Sequence, residues 1–134
     1  MFDILDMGAS GLQAQRTRLD TIAGNILHAN TTRNERGEKV PYKRRFVVFA
    51  PGRADDPSKP GVHVSQVGID NSAPIKKFEP GHPDADADGY VYVPNIDTAI
   101  EYVNSIEATR AYEANITMME VSKAMFNSSL RLIA

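Results

Sequence analysis

The chain has 134 residues and a formal net charge of −2, with 17 acidic against 15 basic side chains. That length suits one modest domain, and the slight acidic excess argues against a nucleic-acid binder, which needs a lysine and arginine surplus. With no cysteine, disulfides and thiolate metal sites are excluded, and no apolar run approaches the length that spans a bilayer, so no membrane insertion is expected.

Residues 2 to about 30 read as a helix. Leu5, Leu12, Leu19 and Ile26 recur at heptad spacing, with Gly8, Gln15, Ile22 and Ala29 in the complementary positions. This is the pattern of a coiled-coil seam. Gly8 and Gly11 weaken its first half by about 1 kcal/mol each against alanine. They also permit close backbone approach to another helix. Ser10 followed by Gln13 forms a candidate capping box, so the helix is expected to begin near Ser10 in the free chain and to extend back to Asp3 when a partner is present. The first ten residues, MFDILDMGAS, lack the basic start and long apolar core of a cleaved signal peptide.

The polar stretch 30–41 ends in proline and reads as a loop. Residues 42–50, YKRRFVVFA, are aromatic and β-branched and read as a strand. A loop rich in proline, glycine and aspartate follows at 51–61. Short strands are expected at 62–66, 73–79 and 89–93, the last two joined by the turn PGHPDADADG. The basic run Lys43-Arg44-Arg45 fits a solvated strand edge, where lysines discourage pairing, or a partner contact.

From Pro94 to Ala134 no glycine interrupts the chain. Asn95 or Asp97 can cap a helix there. Two apolar stripes run along it. Ala111, Ala114, Met118, Val121, Met125 and Leu132 form one; Ile116, Met119, Phe126, Leu130 and Ile133 form the other. At 100° per residue their centres lie roughly 130° apart. One stripe can pack on the N-terminal helix of the same chain, leaving the other for a neighbour. The fold class is therefore α+β. Residues 1–32 and 95–134 pair as an antiparallel coiled-coil hairpin, and 33–94 form a small β-rich insert. The candidate assembly surface comprises Leu5, Leu12, Leu19, Ile22 and Ile26 on the first helix. On the second it comprises Ile116, Met118, Met119, Val121, Met125, Phe126, Leu130, Leu132 and Ile133.

Candidate chemistry is sparse. Asp84, Asp86, Asp88 and Gly89 match the opening of an EF-hand calcium loop, but the position that needs a bidentate glutamate is Asn95, and prolines and a strand flank the loop where helices belong. A calcium-binding module using these three aspartates is the alternative reading. His28, His63 and His82 sit in no metal-ligand spacing. No acid, base and nucleophile converge, so neither an enzyme nor a cofactor is expected.

The N-terminal residues Ser10-Gly11-Leu12-Gln13-Ala14-Gln15, Arg18-Leu19, Ile22-Ala23, Asn25 and Ala29-Asn30-Thr31-Thr32 resemble the signature of the bacterial flagellar rod and hook axial proteins. Phe78 to Asp86, Gly89 to Val91 and Pro94 to Asp97 are more specifically similar to members of the proximal rod, as are Arg110 to Asn115 and Lys123 to Met125 in the tail. The likeness covers nearly the whole chain; the basic Tyr42-Lys43-Arg44-Arg45 is its one departure. It implies a structural subunit, exported through the flagellar type III apparatus without signal cleavage. Such a subunit assembles into the basal-body rod that crosses the periplasm and transmits torque. The implied partners are other rod subunits, copies of the same chain, the export apparatus and the basal-body rings.

Overall fold

A computed structural model describes residues 2–134. Two helices pack on each other, with two small antiparallel sheets between them in the chain: α1 (Phe2–Leu27), β1 (Arg45–Pro51), β2 (Val62–Ile69), β3 (Ile75–Phe78), β4 (Tyr90–Val93) and α2 (Thr98–Ile133). The helices run antiparallel, since Asn25 near the end of α1 meets Glu101 near the start of α2, while Gly8 lies against Met119. Asp97 caps α2, its carboxylate accepting from the amides of Ala99 and Ile100, which satisfies donors that the first helical turn leaves free. The expected β unit is two separate hairpins, β1–β2 and β3–β4. A bulge between Val48 and Phe49 shifts the register of the first. β1 and β2 pack along α1; among the described residues β3–β4 packs on no other helix or strand.

α1 does not begin at Ser10. It is helical from Phe2, and the capping box is not formed. The Ser10 hydroxyl donates instead to the Met7 carbonyl at 2.6 Å and accepts the Val62 amide at 3.2 Å, tying the helix to β2. The helix tolerates its glycines because they face α2. A Cβ at Gly8 would stand 2.5 Å from Cγ of Met119, and one at Gly11 would stand 2.8 Å from Nδ2 of Asn115.

The contact between the helices therefore follows a row of small residues rather than the leucines. Gly8, Gly11, Ala14, Ile22, Asn25 and Ala29 are buried, and Ala108 answers from α2. Leu5, Leu12, Leu19 and Ile26 are only half-buried on the flank of that row. A straight helix drifts about 20° per heptad relative to a strict seven-residue repeat, and the leucines lie one position round the helix from the contact line. Backbones brought together by glycine and alanine leave little room for large side chains, and the core is correspondingly small. The chain keeps 9109 Å² of accessible surface, about a third more than the roughly 6,900 Å² of a compact monomer of this mass.

Two glycines of α1 are expected to respond oppositely to alanine. Gly24 has only the Tyr42 hydroxyl near a would-be Cβ, at 3.9 Å, so Gly24→Ala is expected to stabilise the protein by about 0.5–1 kcal/mol through helix propensity. Gly8→Ala gains the same propensity but collides with Met119, and is expected to lower the denaturation midpoint. Chemical denaturation of both variants checks the contrast; equal stabilisation would show that the helices do not approach as closely as described.

Candidate functional site

Where the chain leaves α1, enters β1 and starts α2, three polar side chains interlock. Asn25 and Glu101 are almost fully buried. The Asn25 amide donates to the Arg45 carbonyl at 2.8 Å and accepts the Arg45 amide at 2.9 Å, so one side chain pairs with the first residue of β1 as a neighbouring strand would. The same amide group reaches Oε2 of Glu101 at 3.3 Å, and Arg44 donates its Nε to Oε1. Arg44 thus belongs to an interior ion pair, not to a solvated strand edge. Arg45 remains exposed, with its guanidinium 5.7 Å from the Tyr42 ring, which in turn stacks on His28. Local sequence pattern gives no sign of this knot, because its partners lie 20 to 76 residues apart.

The aspartate-rich turn serves a second junction. Thr32 donates to Oδ2 of Asp84 at 2.6 Å, and Arg33 donates Nε to Oδ1 at 2.7 Å. The Thr32 hydrogen bond first, and the Arg33 guanidinium after it, hold the Asp84 carboxyl below the usual carboxylate range. Asp86 turns its Oδ1 onto the amides of Asp88 at 3.0 Å and Tyr90 at 2.8 Å. The three aspartates are therefore engaged separately or exposed, and no group of three metal-ligating side chains converges among the described residues.

A depressed folded-state pKa means that the unfolded chain takes up the proton first as pH falls. The stabilisation from Asp84 is full above the ordinary aspartate value of about 3.9 and is lost as pH drops through the lower folded value. Below about pH 4, residues 31–33 and 82–90 are expected to gain amide exchange while the helices stay protected. Asp84→Asn should remove that acid-dependent step; exchange that remains unchanged at low pH would disprove the latch.

The apolar residues of α2 fall into two groups. Met119 lies against Gly8. At 100° per residue, Phe126, Leu130 and Ile133 lie within about 60° of Met119, Glu101 and Ala108, so they prolong the face that packs on α1. Extending the Gly8–Met119 and Asn25–Glu101 pairing places Phe2 opposite about residue 125, and the last turns of α2 project about 12 Å beyond α1. Phe126, Leu130 and Ile133 are accordingly exposed, Ile133 at 84%. Met118, Val121, Met125 and Leu132 occupy a face about 120° round the helix. They too are exposed, with Met125 at 66%. Ile116 is exposed on the opposite flank of the contact line, whereas Ile22 on α1 is buried against α2 and the start of β1. Neither stripe is enclosed in a compact core.

Beside Met118 the two helices and the first hairpin leave a cavity of about 300 Å³, lined by Met7, Gly11, Gln15, Phe49, Val62 and Asn115 among others. It opens next to a larger cleft of about 450 Å³ that shares Ala14 and Val62 with it and is edged by Asp6, Arg53 and Asp55. In the rim of that cleft Arg53 bridges both aspartates, at 3.0 Å to Asp6 and 2.7 Å to Asp55.

Two family models match the chain. One, described as flagella basal body rod protein, covers residues 5–33; the other, described as flagellar basal body rod FlgEFG protein C-terminal, covers residues 87–132. These segments are the helical ends, with the end of the β3–β4 turn and strand β4 added to the second. Relatives along the whole chain include three proteins named flagellar basal-body rod protein FlgC. The one from Salmonella typhimurium is 39% identical over 98% of this chain and 97% of its own length. The one from Borreliella burgdorferi is 36% identical over 99% and 97%, and the one from Bacillus subtilis is 36% identical over 98% and 97%.

Proposed function

The chain belongs to the FlgC family of flagellar basal-body rod proteins and is a structural rod subunit of the flagellar basal body; from that premise we propose that it builds the proximal rod, where it crosses the periplasm and transmits torque. The observation that carries this reading is the unfinished helical hairpin. A helix of 36 residues pairs with one of 26, and the longer one presents bare apolar side chains on two faces. Burying each large side chain contributes about 1.5–3 kcal/mol, which is the energy that a subunit contact requires. Contacts distributed round a helix also resist twisting between neighbours, as a drive shaft must.

In this reading residues 1–32 and 95–134 form the assembling core and 33–94 a small insert. The assembly surface comprises the exposed residues of α2 with the half-buried Leu5, Leu12, Leu19 and Ile26 of α1. Its partners are copies of itself and other rod subunits, with the export apparatus and the basal-body rings at the stages of delivery and housing. The chain travels through the flagellar export route without signal cleavage and catalyses no reaction. A deletion strain tests the proposal. It is expected to lack a complete rod and to be non-motile, with both restored by the wild-type gene. A motile deletion strain with intact basal bodies would refute the role.

A further inference from the structure

We infer that the projecting end of α2 in one copy docks into the cavity beside Met118 in a second copy. The inference rests on the rod reading above and names the contact within it. The two surfaces complement each other. The projecting end offers Phe126 and Leu130, a bulky pair one turn apart, exposed at 37% and 47%. The cavity offers apolar walls in Met7, Phe49, Val62 and Met118, a floor lowered by Gly11, and a volume of about 300 Å³ that admits large side chains.

Charge agrees with shape. After Glu120 the side chains carry two positive charges, Lys123 and Arg131, and no negative one, and of these Arg131 lies on the projecting turns. The cleft contiguous with the cavity carries Asp6 and Asp55 against the single Arg53, a surplus of one negative charge. Arg131, next to Leu130 in the chain, has a rim of opposite sign to meet. Gln15, on the wall of the cavity, has a side-chain oxygen Oε1 that is buried and has no hydrogen-bond partner among the described residues.

The contact joins two different patches, so it is heterologous and propagates instead of closing on itself. Its geometry fixes an offset. Residues 118 and 130 are separated by about 18 Å along α2, so copies related by this contact with parallel helices are displaced axially by about that distance.

Because the chain has no cysteine, engineered thiols report the contact without background. Met118→Cys and Leu130→Cys are placed in separate gene copies, co-expressed, and oxidised in isolated basal bodies. The expected result is a disulfide-linked dimer of this chain from the mixture and none from either variant alone. Phe49→Cys with Arg131→Cys is the second pair, for use if either first variant fails to enter the rod. A dimer from Leu130→Cys alone would mean a two-fold contact and would overturn the inference. So would a cross-link from residue 130 only to a different rod protein, or no cross-link from either pair in motile cells. Failure of the rod reading is distinguishable: the wild-type chain would then be missing from the isolated basal bodies.

Discussion

Phe126→Glu combined with Leu130→Glu is expected to yield a folded, soluble protein that never enters the rod, in cells that do not swim. The free chain already exposes both residues, at 37% and 47%, beyond the point where α1 ends. Exposed substitutions of that kind usually change stability by no more than about 0.5 kcal/mol. In the assembled rod the same side chains would be buried. Losing two such burials forfeits about 3–6 kcal/mol, or roughly 10²–10⁴-fold in association, before the cost of confining two carboxylates in an apolar contact. Thermal unfolding of the purified variant and its presence in isolated basal bodies decide the matter. A variant that assembles and supports swimming would show that this end of α2 is no assembly surface. Complete unfolding would show that Phe126 and Leu130 hold the monomer together.

Arg44→Ala is expected to cost about 3 kcal/mol of folding stability, near the low end for breaking a buried ion pair. Glu101 keeps 1% of its side chain in water, while Arg44 keeps 27%. Removing the guanidinium therefore strands a carboxylate beside Asn25 with only part of its charge answered. Replacing Asn25, Arg44 and Glu101 together with leucine or methionine should cost far less, because a buried polar set exchanged for well-packed apolar residues is often close to neutral. Urea denaturation of the two variants separates these cases. A loss below about 1 kcal/mol for Arg44→Ala would mean that water reaches Glu101.

Much of this arrangement is legible in the sequence. The heptads and the cap at Asp97 locate both helices, and alternating β-branched residues locate the strands to within a few positions. The two stripes of α2 are real, although position alone does not say which of them meets α1; the structure sets Met119 on that contact and brings the terminal methyl of Met118 to its edge. The seam of α1 is harder. Hydrophobic periodicity favours Leu5, Leu12 and Leu19, whereas the contact selects Gly8, Gly11 and Ala14, since the smallest residues permit the closest backbones. Their signal was present as the two glycines within an otherwise strong helix. The partners of Arg44 and Asp84 were not legible. Nothing near Arg44 in the chain indicates that it reaches Glu101, and nothing near Asp84 indicates Thr32 and Arg33. Long-range electrostatic pairs arise only once the fold has brought distant segments together.

The thinness of the contact between α1 and α2 has a thermodynamic corollary. Unfolding raises heat capacity in proportion to the apolar surface it exposes, normally about 12–15 cal/mol/K per residue. A chain that joins its helices through Gly8, Gly11, Ala14 and Ala108 hides little such surface in the first place. Its own unfolding therefore has a heat-capacity increment below that range, and its stability varies gently with temperature. The large negative increment that marks apolar burial is deferred to the moment when the bare faces of α2 meet their neighbours. Cooling consequently weakens the union between subunits more than it weakens the subunit.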